Sequence, residues 1–255
     1  MNDDIALNGS GLNDLAFWFE KLRATGVPVP RTTIVRAEGS AHLDPLLEEL
    51  AKAAAAFGYP VFLRTGHGSG KHQWKRTCFV PNEAALRDHV FALLEWSEVV
   101  DMLGLPTETW VVRELLPLVT TFRAFDGEMP INKERRYFIE GGRVLCHHPY
   151  WPERSIQEPD CDGWGVKLAA LNEETDDEVR ALTKLSECVS KAFDGAWSLD
   201  WAQTTSGQWV AIDMAIAERS FHWDGCPVGE RIGPRQPREE PAPDIDYSKL
   251  IVPSE

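Results

Sequence analysis

No apolar run in this sequence approaches the roughly 20 residues that a membrane-crossing helix needs, so no such helix is expected. The opening "MNDDIALNGS" is polar and acidic, without the positive start and apolar centre of a secretory leader. Positive charge is scarce: 26 Lys and Arg face 40 Asp and Glu, a net charge of -14. Phosphates of nucleic acid or anionic lipid would be repelled by that field, so unspecific grip on either is not expected, although a local basic pocket remains compatible with it. The five cysteines (78, 146, 161, 188 and 226) are odd in number and form no CxxC pair, which argues against a disulfide framework and for the reducing cytoplasm. "CHH" at 146–148 and "FHWDGC" at 221–226 lack the well-known zinc spacings, so buried or idle cysteines are the favoured reading and a structural zinc the lesser alternative.

Two phosphate-binding devices are also missing from the most glycine-rich stretch, "YPVFLRTGHGSGKHQWKRTCFV" at 59–80. A Walker loop needs glycine where Thr65 stands and Ser or Thr where His72 stands. A dinucleotide fingerprint needs glycine at Lys71 and then a helix, whereas "RTCFV" reads as a strand. Nor is there a lysine–x–aspartate–glycine signature, so a nucleic-acid ligase with a nucleotidylated lysine is a poor reading.

What is present is an alternation of helix-like and strand-like segments up to about residue 227, with 43% hydrophobic residues, enough for a substantial core. "LNDLAFWFEKLRATG" reads as an amphipathic helix closed by Gly26, and Asp44–Pro45 starts another that stops at Gly58. "PVFLRT" and "RTCFV" flank a glycine flap, and Asn82 opens a helix to about Met102. A second block begins at "TETWVVRELLPL". "TTFRAF" and "RRYFIEGGRVLCH" follow as strands, the latter turning at Gly141–Gly142. Thr175 and Glu178 form a capping box for a helix to about Ala192, and "AWSLDWAQTTSGQWVAID" is a strand pair around "TTSG". This order predicts an α+β fold in two lobes: 1–112 with the flap, 113–227 with the acidic hairpin, and 228–255 as a proline-rich tail.

The residue types fit a triphosphate site. Arg64 ends a strand, Lys71 and Lys75 lie in or beside the flap, and glycine lets the backbone approach a ligand. Asp200 and Asp213 lie among apolar neighbours on adjacent strands. A carboxylate is costly there unless a cation or donor satisfies it. With the turn at about 205–207, the two face each other across the hairpin.

Taken together, these segments resemble the ATP-grasp superfamily over about residues 13–220. "GVPVPRTTIV" resembles the first lobe's opening strand, and "YPVFLRTGHGSGKHQW" the strand and small-residue flap over the phosphates. "WVVRELLPL" resembles the hinge whose backbone binds adenine, "KERRYFIEGGRVL" the strand pair with a phosphate-contacting arginine, and "SLDWA…WVAIDMA" the magnesium hairpin. Arginine at 64 with the following "SGKH" is most like the arginine-and-lysine subgroup found in phage and bacterial gene neighbourhoods.

The resemblance implies an ATP-grasp fold, its two lobes clasping a nucleotide between antiparallel sheets. It implies an ATP- and Mg2+-dependent ligase in which a carboxylate becomes an acylphosphate that an amine attacks, with a peptide or protein among the possible substrates. The alternative is a non-catalytic nucleotide-binding module whose lobes or tail bind a partner protein. Carried over residue by residue, the resemblance gives Arg136 and Lys71 as catalytic groups and Asp200 and Asp213 as metal ligands. The nucleotide falls to Arg64, Gly68, Ser69, Gly70, Lys71, Lys75, Glu114, Leu115, Leu116 and Thr120. Three departures stand out. Ala215 occupies the position of a usual asparagine metal ligand, with Glu218 as a substitute; Thr120 stands where an acidic residue holds the ribose; and Lys21 is only near a usual basic position. "HHPYWPERS" and "CDGWGVK" are read as the acceptor-side loops, with Lys167 as a further phosphate contact.

Overall fold

The computed structural model describes residues 9–37, 43–100, 104–224 and 226. The proline-rich tail expected at 228–255 lies outside the described residues. Within them the chain builds two four-stranded antiparallel sheets and a separate strand pair.

A short helix α1 (Gly9–Leu12) leads into α2 (Leu15–Ala24). The Asp14 carboxylate caps α2 by accepting from the Ala16 amide at 2.8 Å, one of the donors a helix start leaves unpaired. Its buried residues Leu15, Trp18, Phe19 and Leu22 recur at helical spacing. Strand β1 (Thr32–Arg36), helix α3 (Leu43–Phe57), β2 (Val61–Thr65), β3 (Phe79–Val80), helix α4 (Leu86–Val99) and β4 (Thr109–Glu114) follow. The first sheet has the order β1–β4–β2–β3. Leu46, Leu50 and Ala54 of α3 and Val90 and Leu93 of α4 pack against it.

The segment expected as a second flap strand is mostly not one. Thr77 Oγ1 donates toward the carbonyls of Gly70 (2.8 Å) and Gln73 (2.9 Å), folding the chain back on itself. Lys71–Gln73 is a 3-10 turn, and only Phe79 and Val80 pair with β2.

β5 (Thr120–Ala124) and β6 (Met129–Asn132) form the strand pair, joined through a short turn, α5 (Phe125–Glu128). β7 (Glu134–Glu140) and β8 (Arg143–Pro149) form the expected hairpin. Its turn residues Gly141 and Gly142 have φ of +57° and +80°, which glycine adopts without a Cβ penalty. The stretch read as an acceptor loop around Trp164 instead contains helix α6 (Trp164–Asn172). Trp151, Leu168 and Leu171 join Phe122, Phe125 and Met129 in a core of their own.

Helix α7 (Asp176–Ser190) starts on Thr175, whose hydroxyl accepts from the Glu178 amide at 3.2 Å. The other half of that capping box is absent, because the Glu178 carboxylate turns inward to Arg135 Nε (2.6 Å) and Lys133 Nζ (2.7 Å). Arg135 is fully buried, and this pair fixes α7 under β7.

β9 (Trp197–Gln203) and β10 (Trp209–Ile216) complete the second sheet, in the order β10–β9–β7–β8. Ala211 pairs with Trp201, Asp213 with Asp200, and Ile212 is the extra residue of a β-bulge between them. Ala211 and Met214 join Trp197, Leu199 and Trp201 in the main core, where Leu15, Trp18, Phe19 and Leu22 of α2 also pack.

Candidate functional site

The two sheets frame a cavity of about 510 Å3. Each strand brings one or two chemically distinct side chains to it. β2 brings Arg64; β4 brings Arg113 and Glu114 and leads into Leu115 and Leu116; β7 brings Glu134; β9 and β10 bring Asp200 and Asp213. Ser69, Lys71 and Lys75 enter from the flap. Phe62, Trp74, Phe79, Leu118, Met129 and Ile212 make the rest of the wall largely apolar. Five cationic side chains (Arg64, Lys71, Lys75, Arg113, Arg123) face four carboxylates (Glu114, Glu134, Asp200, Asp213), so the site is locally basic in an acidic protein.

At the floor, Asp200 and Asp213 are register partners on β9 and β10. Arg136 Nε and Nη2 donate to the two Asp200 oxygens at 2.7 and 2.8 Å, a bidentate pair whose guanidinium lies 4.6 Å from the Tyr150 ring. Burial opposes the charge on Arg136, but the Asp200 carboxylate outweighs it and holds the arginine above its ordinary pKa. Arg64 Nη1 donates to Asp213 Oδ1 at 3.0 Å, and its Nε to the Thr65 carbonyl at 3.1 Å. Lys71 Nζ donates to the Tyr150 hydroxyl at 3.2 Å and lies 3.9 Å from Glu134 Oε2. Its ammonium also lies over the Tyr150 and Trp151 rings, at 4.2 and 4.7 Å. Burial works against the Lys71 charge, yet Tyr150 and Glu134 raise its pKa above that of an ordinary lysine. Burial in turn raises Glu134, with Lys71 acting in the opposite sense.

Of the residues assigned from sequence, Arg64, Ser69, Lys71, Lys75, Glu114, Leu115, Leu116, Thr120, Asp200 and Asp213 line the cavity. Lys75 is exposed, 3.4 Å from Glu128. Glu114 accepts from the backbone and side chain of Arg31 at 2.8 and 2.7 Å. The Thr120 hydroxyl donates to Asn132 Oδ1 at 2.6 Å. Arg136 stands behind Asp200 rather than in the lining. Gly68 and Gly70 are not in the lining either. A Cβ on Gly68 would lie 2.4 Å from the Trp96 ring, and Gly70 has φ +58° beside Thr77 and Trp96. Their lack of a side chain lets the flap pack on Trp96 and turn. Glu218 and Lys167 are exposed and do not line the cavity, the latter bonding the Cys161 thiol at 3.2 Å. Lys21 lies over the Phe193 ring at 5.0 Å.

The residue that the sequence reading passed over is Arg113. Its side chain is buried, Nη1 donates to the Ile212 carbonyl at 2.5 Å, and Nε and Nη2 have no hydrogen-bond partner. Burial and the neighbouring Arg64 guanidinium lower its pKa to about 9. A buried cation with two unpaired N–H groups on a cavity wall is a ready acceptor-seeking group. The signal was a lone arginine inside the apolar strand "WVVRELL". Glu134 Oε2 is also buried without a hydrogen-bond partner, 3.9 Å from the Lys71 ammonium.

The family model for the ATP-grasp domain of the arginine-and-lysine clade, family 3, matches residues 51–232. Among solved structures the chain is similar to biotin carboxylase from Campylobacter jejuni, with TM-score 0.53 and 16% identity over 86% of this chain and 43% of that one. It is similar to the biotin carboxylase domain of 2-oxoglutarate carboxylase from Hydrogenobacter thermophilus, with TM-score 0.52 and 17% identity over 80% and 39%. N5-carboxyaminoimidazole synthase from Aspergillus clavatus matches with TM-score 0.50 and 15% identity, over 80% and 44%. The chain therefore spans less than half the length of each of these three, and what it shares with them is the fold. No curated protein matches it.

Proposed function

The chain belongs to the ATP-grasp domain family, in the third family of its arginine-and-lysine clade, and from that premise we propose that it is an ATP- and Mg2+-dependent carboxylate–amine ligase. The observation that carries this reading is the pairing of Asp200 with Asp213 on the wall that Arg64, Lys71 and Arg113 also face. The residues present fit the nucleotide and its metal. Two facing carboxylates suit a hard divalent cation, and the unpaired N–H groups of Arg113 suit a phosphate. The Hydrogenobacter thermophilus structure holds MgADP and bicarbonate, which supports the reading for this chain.

When bound, ATP would supply the phosphoryl group that converts a carboxylate to an acylphosphate, while magnesium offsets charge on the phosphates. Asp200 and Asp213 would hold the metal, and Arg136 fixes the Asp200 rotamer through its bidentate pair. Arg64, Lys71, Lys75 and Arg113 would hold phosphate oxygens, acting by position and charge rather than as nucleophiles. Phe62, Phe79, Met129 and the Glu114–Leu116 backbone would enclose the base, with Thr120 nearest the ribose. In the second half-reaction a C–N bond forms as the amine attacks the acyl carbon. The C–O bond to phosphate breaks, phosphate leaves, and the amine proton passes to solvent. The lobes at 1–112 and 113–227 would close on the nucleotide about the Glu114–Leu116 segment, and a peptide or protein would be one source of carboxylate or amine.

One observation favours the second reading, a nucleotide-binding module that holds a partner without chemistry: Ala215 offers no metal ligand beside the Asp200–Asp213 pair. The two readings share a first test and diverge at a second. The melting temperature should rise by several degrees with ATP and magnesium together, and Arg64→Ala should remove that rise. Absence of any shift in the wild type would sink both readings. A shift without ADP or phosphate release across a panel of carboxylates and amines would favour the module.

A further inference from the structure

Two segments that carry no part of the cavity chemistry meet on the far end of the second sheet. Cys146 lies on β8, and His222 and Cys226 follow β10. Cys146 Sγ is 3.6 Å from His222 Nδ1 and 2.8 Å from Cys226 Sγ. One ligand atom from each of the three lies within 4.8 Å of the others. We propose that Cys146, His222 and Cys226 form a zinc site that ties the segment after the acidic hairpin to strand β8.

The sulfur–nitrogen separation fits a small tetrahedral ion. With Zn–S bonds of about 2.3 Å and Zn–N bonds of about 2.0 Å, a sulfur and a nitrogen on one zinc lie roughly 3.5 Å apart. The Cys146–His222 separation matches that value. Two sulfurs on one tetrahedral zinc lie about 3.8 Å apart, so the thiols, now 2.8 Å apart, must separate by about 1 Å to admit the ion. A common cation gives the imidazole nitrogen beside them a role that a sulfur–sulfur bond does not. Two thiolates and an imidazole are soft donors, which select zinc over the magnesium that carboxylate oxygens prefer.

The surroundings are built rather than incidental. His222 is buried and its ring stacks on Phe138 at 3.5 Å, which fixes the imidazole plane. Ser220 is held to Ser198 of β9 at 2.5 Å, and the Ala217 amide to the Ala196 carbonyl at 2.9 Å, so the segment leaves β10 in a set direction. On binding, each thiol loses its proton to solvent, and the fourth position takes a water molecule. Because Cys146 pairs with Phe138 and His148 pairs with Arg136, the tether lies two residues along β7 from the arginine that grips Asp200. Its role is to hold that end of the sheet, separate from the oxygen-lined cavity.

The test is elemental analysis of the full chain, purified without chelator from zinc-supplemented medium, beside Cys146→Ser and Cys226→Ser. One zinc per wild-type chain, lost from both variants, is expected. Should the variants fail to fold, cobalt added to the apo wild type must give thiolate-to-metal absorption with the intense visible bands of a tetrahedral site. No zinc in the wild type, zinc retained by the variants, or no thiolate band with cobalt would each overturn the proposal. So would a wild-type mass lower by two hydrogens and restored by reductant, which would show a Cys146–Cys226 disulfide.

Discussion

Arg64 of β2 and Asp213 of β10 join the two sheets directly, Nη1 to Oδ1 at 3.0 Å. Only the arginine is deeply buried: its side chain is 7% exposed and that of Asp213 is 40% exposed. The aspartate is therefore the partner free to take up a new charge from the cavity. On the proposed reading, a phosphate at Arg64 and a cation at Asp213 would compete with this pair.

The first expected outcome concerns that aspartate. Asp213→Asn keeps the volume and one oxygen toward Arg64, so melting should move by only a few degrees. Metal charge stabilisation amounts to several kcal/mol, or about a hundredfold or more in rate. Magnesium-dependent ATP turnover by the variant, measured as released ADP, should fall by at least that factor. Turnover at the wild-type level would remove Asp213 from the metal site.

Arg113 separates binding from stability. Two of its buried N–H groups lack partners, a cost of about 1–3 kcal/mol per group in the free protein. Arg113→Met should leave the ligand-free melting temperature unchanged or raise it. Loss of one charge-assisted hydrogen bond to phosphate should weaken ATP binding about 10- to 100-fold by calorimetry. A variant that binds ATP normally but melts many degrees lower would make Arg113 a structural cation instead.

Two flap histidines set a pH dependence. His67 is depressed below the ordinary histidine value chiefly by burial, and His72 by burial and then by the Lys71 charge. The unfolded chain titrates near pH 6.5, so below that pH it binds protons that the folded chain refuses. Stability must therefore fall as pH drops through about 6.5, until the folded histidines titrate in turn. Urea midpoints between about pH 7.5 and 5.5 should show this slope, and His67→Gln combined with His72→Gln should make it shallower, the remainder coming from His148 and His222, which burial also depresses. An unchanged slope in the double variant would assign the effect elsewhere.

Much of the site was legible because it rests on short-range pattern. The spacing of Asp200 and Asp213 around "TTSG" pointed to a facing pair, which the bulge at Ile212 completes, and the Gly141–Gly142 turn marked the hairpin that carries Arg136. Arg113 was hidden because a charge at the end of an apolar strand looks like a surface residue until the second sheet is laid over it. The flap glycines were visible but their reason was not, since Trp96, which they pack against, is some 26 to 28 residues further along. Helix α6 escaped notice because Gly163 and Gly165 flank its first residue and mimic a loop. The meeting of Cys146 with Cys226 spans 80 residues, a distance over which no spacing rule operates.

The bulge at Ile212 acts as a parity switch within β10. In an unbroken strand, residues 211 and 213 share a face, and an aspartate at 213 would point into the same hydrophobic interior as Ala211. The extra residue reverses the count, so Asp213 joins Asp200 on the wet side while Met214 takes over the dry side. The irregularity also releases the Ile212 carbonyl from the ladder, and that carbonyl receives Arg113. An in-frame loss of the Ile212 codon would thus leave Asp213 on the wet face, since Ala211 and Asp213 would then alternate in a regular strand, but it would remove the carbonyl that seats an arginine of the opposite sheet.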